Sequence, residues 1–70
     1  MVVFSLKGTS HIELCRLLKL KNWVESGGAA KSVIAARQVT VDGVVETRKR
    51  CKIQSGQTVS YDGVSVTITN

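Results

Sequence analysis

The chain has 70 residues, of which 43% are hydrophobic and 21% charged, with ten Lys and Arg against five Asp and Glu. That size holds one domain, residues 1–70, and leaves no room for a second. The composition is too apolar for a disordered segment, and no apolar run approaches the roughly 20 residues that a membrane span needs, which argues against a membrane partner.

The opening segment Met1-Val2-Val3-Phe4-Ser5-Leu6-Lys7 has no basic stretch ahead of its apolar residues, so it does not read as a secretory leader, and a cytoplasmic location is expected. Val2 to Leu6 reads as a short strand that ends at a Lys7-Gly8 turn. Ser10-His11-Ile12-Glu13 then has the form of a capping box, in which the Ser10 hydroxyl and the Glu13 carboxylate would each accept from the other's amide. A helix over Ile12–Leu20 follows, with Leu14, Cys15, Leu17 and Leu18 on one side and Glu13, Arg16 and Lys19 opposite. Ser26 is the expected N-cap of a second helix from Gly27 to Ala36, whose apolar face is Ala29, Ala30, Val33 and Ile34.

After Arg37-Gln38 the hydrophobic period changes from 3.6 to 2. Val39–Val41, Asp42-Gly43 and Val44–Glu46 form a hairpin with a type I′ turn, because Asp-Gly tolerates positive φ at both central positions. A second Asp-Gly hairpin joins Thr58–Tyr61 to Val64–Ile68. Its two-residue loop pairs Tyr61 with Val64 and Val59 with Val66, leaving Ser60, Ser65 and Thr67 toward water. The expected architecture is α+β: two N-terminal helices packed on a small, mostly antiparallel sheet of short strands.

Cys15 and Cys51 are too far apart in sequence for a zinc pair at short spacing, and a disulfide does not suit a reducing compartment, so both are expected as free thiols. No metal or other cofactor is called for. Nine of the ten cations fall between Arg16 and Lys52, together with three acids, while Ile53–Asn70 holds one acid and no base. The densest run is Arg48-Lys49-Arg50-Cys51-Lys52. Cations packed this closely repel one another, and a polyanionic partner is a physical reason to keep them together; a solvated loop that maintains solubility is the plainer reading.

From Leu14 to Tyr61 the residues resemble the RNA-binding domain of the ribosomal-small-subunit-protein-four type, also called the αL motif. The resemblance rests on Leu17-Leu18-Lys19, Ser26-Gly27-Gly28-Ala29-Ala30-Lys31, Ile34, Val39-Thr40-Val41-Asp42-Gly43 and Ile53 with Gly56-Gln57-Thr58-Val59. The Ser-Gly-Gly-x-Ala-Lys form and the Arg-Lys-Arg cluster are most similar to small stand-alone bacterial proteins of the YbcJ type. The resemblance implies an αL RNA-binding fold that presents the two helices and the following turn as a basic groove, in a monomer that binds structured RNA, ribosomal or transfer, with the ribosome as one expected partner. Two positions depart from the pattern. Glu13-Leu14-Cys15 stands where many members have Arg-Leu-Asp, and Arg37 stands where many have Gly, which costs on the order of 1 kcal/mol if Arg37 is left-handed.

The candidate RNA contacts are therefore Arg48, Lys49, Arg50 and Lys52, with Lys31 close behind and Arg37, Arg16, Lys19 and Lys21 as flanks. Arg forks grip phosphates bidentately and stack on bases, and Lys adds mobile point charge. Trp23 suits either the core or base stacking, with the core favoured; Phe4 and Tyr61 read as core. The cations around Cys51 are expected to lower its thiol pKa. No catalytic constellation is found, and the protein is not expected to be an enzyme. A protein–protein adaptor that binds an acidic surface is the alternative function. A sulfur-carrier role is disfavoured because the chain ends Thr67-Ile68-Thr69-Asn70 rather than in Gly-Gly.

Overall fold

A computed structural model describes residues 2–70; Met1 lies outside the described residues. The second Asp-Gly hairpin is the centre of the larger sheet. It comprises β6 (Thr58–Tyr61) and β7 (Val64–Thr69), paired Tyr61↔Val64 and Val59↔Val66 as the two-residue loop requires. Strand β3 (Val39–Val41) pairs antiparallel with β6 and β4 (Val44–Val45) with β3, while β1 (Val3–Ser5) adds to β7 in parallel, giving the order β1-β7-β6-β3-β4. Both hairpin turns have positive φ at their two central residues, 52° and 82° at Asp42-Gly43 and 50° and 80° at Asp62-Gly63, as a type I′ turn demands.

The period-2 alternation sorts this sheet, with Val3 and Val45 as the exceptions. The rows Val44–Val41–Val59–Val66, Val39–Tyr61–Val64 and Phe4–Ile68 put only apolar residues on one face. The opposite face carries Ser5, Thr40, Thr58, Ser60, Ser65, Thr67 and Thr69 beside Val3 and Val45, and no charged residue. Cross-strand hydroxyl contacts tie it together, Ser60 Oγ to Ser65 Oγ at 2.8 Å and Thr58 Oγ1 to Thr67 Oγ1 at 3.3 Å. Val64, although on the apolar face, remains 45% exposed beside the turn.

The helices are α1 (Leu14–Leu20) and α2 (Gly27–Ala35). Ser26 caps α2 as expected, its Oγ accepting from the Ala29 amide at 3.1 Å. Both helices end in the same way. The amides of Asn22 and Trp23 donate to Lys19 and Leu18, and those of Arg37 and Gln38 donate to Ile34 and Val33; this is the paired bonding of a Schellman motif. The left-handed residue is Asn22 (φ 58°) in one and Arg37 (φ 64°) in the other. Arg37 thus takes the strained conformation anticipated for a residue standing in a glycine position.

The capping box does not form. Ile12–Glu13 is instead a two-residue strand, β2, paired antiparallel with β5 (Lys52–Ile53). The helix therefore starts at Leu14 rather than Ile12; Glu13 occupies the N-cap position with no side-chain cap bond, and the Ser10 hydroxyl turns to His11 Nδ1 at 2.8 Å. The reason is tertiary: carbonyls from a distant loop satisfy the first helical amides, so a local hydroxyl is not required.

The expected α+β composition and the predominance of antiparallel pairs hold, but strands outnumber helices, and the helices approach each other's backbones more closely than they approach the sheet. Side chains join the parts: Leu14, Leu17, Leu18, Ala30 and Ile34 share one buried cluster with Val39, Val41, Val59, Val66 and Ile68, extended by Leu6, Ile12 and Ile53. Each fully buried Leu, Ile or Val contributes roughly 1.5–3 kcal/mol, so this one cluster carries most of the stability. Phe4, Tyr61 and Trp23 pack half-buried at its margin, with the Trp23 and Tyr61 rings stacked at 6.3 Å between centroids and 30° between planes.

Candidate nucleic-acid interface

The basic run leaves the first hairpin at Glu46, whose amide donates to Val39 O at 3.0 Å, and returns to regular structure at β5. Between them the backbone folds around one carboxylate. Glu46 Oε2 accepts from the Arg48 amide at 3.0 Å and from Arg48 Nε at 2.9 Å, while Oε1 accepts from Arg48 Nη2 at 3.0 Å and from the Cys51 thiol at 3.5 Å. The Cys51 amide donates to Arg48 O at 3.2 Å and closes the turn.

The loop so shaped sits on the start of α1. The Leu14 amide donates to Cys51 O at 2.9 Å and the Cys15 amide to Lys49 O at 3.1 Å. The first amides of a helix have no partner within it, and here the basic loop's own carbonyls supply two. A stretch crowded with like charges is thereby held against a helix by backbone bonds that its charges do not oppose.

The Arg48 guanidinium, and after it the Arg48 amide, hold the Glu46 carboxyl down to about 2 from 4.5, while the same pairing raises Arg48 further above its already high value. Cys51 corrects an expectation. Burial first, and then the charge and hydrogen bond of Glu46, push its thiol upward; Arg48 opposes this but does not prevail. Burial, and after it Glu46, thus keep the thiol protonated, and the cations around it do not activate it. Cys15 and Cys51 are both free, as expected.

Lys49, Arg50 and Lys52 are exposed, and Arg50, Cys51 and Lys52 line, with Arg48, a concavity of about 430 Å³. Arg48 is 76% exposed yet its fork is taken, in the one ion pair found among the described residues. Lys52 lies directly across the β2–β5 pair from Glu13. Arg16 is exposed one residue beyond the capped amides and borders a separate groove of about 830 Å³ that Lys7, His11 and Leu20 also line. Lys19 is near, and Lys21 just past, the far end of α1, which at ~1.5 Å per residue lies ~10 Å along the axis from the capped end. Lys31 is exposed on α2 and Arg37 beyond its end, and no hydrogen bond or ion pair joins either to the loop.

The residue that sequence reasoning passed over is Glu46, which appears there only as the end of the first hairpin. Its spacing of two from Arg48 and five from Cys51 offered a signal, but only the folded loop brings all four donors onto one carboxylate. Among the described residues, no cluster of three His, Cys, Asp or Glu could hold a metal ion, and no helix is long and apolar enough to cross a membrane.

Residues 4–69 match the model of a family described as the S4 domain. The chain is 62% identical over 68 residues to YbcJ of Escherichia coli (strain K12), whose name proposes RNA binding, and the match covers 97% of each chain. YbcJ of Shigella flexneri matches with the same identity and coverage. The solution structure of the Escherichia coli protein, described as revealing an αL motif involved in RNA-binding, superposes with a TM-score of 0.76 at 60% identity, over 100% of this chain and 89% of that one. The capped α1, the Ser26-headed α2 and the hairpins that follow are the αL-motif fold, and the chain belongs to the S4 domain family.

Proposed function

We propose that this protein is a non-catalytic module that binds structured RNA, ribosomal or transfer, through its phosphate backbone. The observation that carries the reading is the basic loop fixed to α1 by the two bonds from the Leu14 and Cys15 amides. Lys49, Arg50 and Lys52 then project from a backbone ordered before any partner arrives, which reduces the ordering cost of binding. Arg16, Lys19, Lys21, Lys31 and Arg37 flank this centre as a basic groove, and the relatives described as RNA-binding share the fold. The protein works as a monomer in the cytoplasm, with the ribosome as one setting for its RNA.

Filter binding of the full chain to a transfer RNA and to a ribosomal-RNA helix–loop fragment tests this. With roughly five phosphate contacts, affinity falls more than a hundredfold between 50 and 200 mM salt. Absence of binding at 50 mM salt, or binding indifferent to salt, refutes the proposal. Equal competition by duplex DNA points to a general polyanion binder, and partners that survive nuclease in a pull-down point to an adaptor for acidic proteins.

A further inference from the structure

The Arg48-to-Lys52 run looks like four equivalent cations, but the loop treats one of them differently. Every polar bond that the Arg48 side chain makes goes to the loop itself: Nε and Nη2 to the Glu46 carboxylate and Nη2 also to Cys51 Sγ at 3.6 Å. Its amide goes to the same carboxylate and its carbonyl to the Cys51 amide. Cys51 and Lys49 in turn supply the carbonyls that cap α1. A continuous path of bonds therefore runs from the Glu46 side chain through Arg48 and Cys51 to the Leu14 amide, whereas Lys49 reaches the helix only through its backbone carbonyl and no side-chain hydrogen bond ties Lys49, Arg50 or Lys52 to the loop.

We propose that Glu46 is the positioning residue of the RNA-binding loop and that Arg48 is its strut rather than a phosphate contact, leaving Lys49, Arg50 and Lys52 as the cations that meet RNA. The inference rests on the RNA-binding reading above and divides the labour within it. An Arg already neutralised by a carboxylate at 2.9 Å releases few counterions when a phosphate approaches. A planar fork is also the wrong group to replace by Lys, whose point charge cannot make two parallel bonds to one carboxylate. Charge and strut therefore come apart under substitution. The protonated thiol of Cys51 fits the same role, since it donates to Glu46 Oε1 and adds no negative charge beside the contacting cations.

The test uses the full chain and its RNA affinity against salt. R50Q and K52Q each reduce the log–log salt slope by about 0.7–0.9, the share of one phosphate. R48Q and R48K both leave the slope at the wild-type value, and R48K rescues nothing that R48Q loses. The proposal is overturned if R48Q lowers the slope as R50Q does and R48K restores it. A second measurement needs no RNA. In E46Q, R48Q and R48K the Leu14 and Cys15 amides exchange with solvent at least about tenfold faster than in wild type, while amides of the β6–β7 pair, the reference for global stability, keep their rates. Unchanged exchange at Leu14 and Cys15 also overturns the strut. A wild-type chain that binds no RNA removes the functional reading instead, and the exchange rates still decide the role of Glu46.

Discussion

The outer face of the five-stranded sheet and the loop over the start of α1 are both exposed polar surfaces, built on opposite terms. The sheet face is uncharged; its Ser and Thr side chains satisfy one another across the strands, as Ser60 and Ser65 do at 2.8 Å. The loop concentrates charge, and its order comes from one carboxylate and two helix amides rather than from neighbouring side chains of like kind. The lesson is that charge density and structural order are separable. The loop is held by groups that carry no net positive charge, and the ion pair it contains uses Arg48 and leaves its lysines and Arg50 out. The opposite face of the sheet supplies Val39, Val41, Val59, Val66 and Ile68 to the buried cluster.

The sharpest way to break this division is through what the two regions share. Ile34→Ala or Leu18→Ala removes a fully buried side chain from the common cluster and lowers stability by about 2–5 kcal/mol, read as a drop in urea midpoint with both regions melting together. Two separate transitions would mean that the loop and helices are ordered independently of the sheet. Next in size, the combined change of Lys49, Arg50 and Lys52 to Gln reduces the salt slope of RNA binding by about 2–3 with little change in melting temperature. An unchanged slope would place the contacts elsewhere.

Arg37→Gly relieves a left-handed side-chain residue and raises stability by about 1 kcal/mol, several degrees in melting temperature for a chain of this size, while removing one flanking cation. A loss of stability there would mean that the arginine side chain contributes more than its backbone costs. Smaller still is the acid limb of the stability curve. Because Glu46 is held near 2 in the fold against 4.5 ordinarily, its contribution is complete above about 4.5 and is lost as pH falls toward 2. R48Q removes the largest cause and leaves the amide bond, so it reduces that part of the acid dependence, which chemical denaturation between pH 5 and 2 measures; an unchanged acid limb would mean that another carboxylate carries it. The least effect is expected on the sheet's outer face, where Ser60→Ala with Ser65→Ala changes stability by under about 1 kcal/mol and RNA binding not at all.

How much was legible beforehand differs between the regions for the same reason. The Asp-Gly pairs made both hairpins legible, and in the second also the register and the face of its residues, because a two-residue loop leaves no alternative pairing. Ser26 was equally readable, being local backbone chemistry; the left-handed Arg37 was foreseen only as a condition, through the resemblance that places Gly there. The start of α1 was not. Ser10 and Glu13 satisfy a local rule for a cap, but Ile12–Glu13 pairs instead with Lys52–Ile53, some forty residues away in sequence, and nothing near Ser10 announces that partner. The parallel docking of β1 on β7 was hidden in the same way. Cys51 shows the point chemically: the sequence places cations beside it, whereas the fold places Glu46 there.

The sequence by itself determined the α+β composition, the two hairpins, the second helix with its cap, the apolar faces and the concentration of cations from Arg16 to Lys52. All of these follow from residues within a few positions of one another. Only the tertiary structure decided that the cationic run caps the first helix, that Glu46 gathers Arg48 and Cys51, and that Arg48 is thereby distinguished from its neighbours. Those outcomes depend on backbone amides left without partners at Leu14 and Cys15, and an unsatisfied amide takes whichever carbonyl the fold brings within reach.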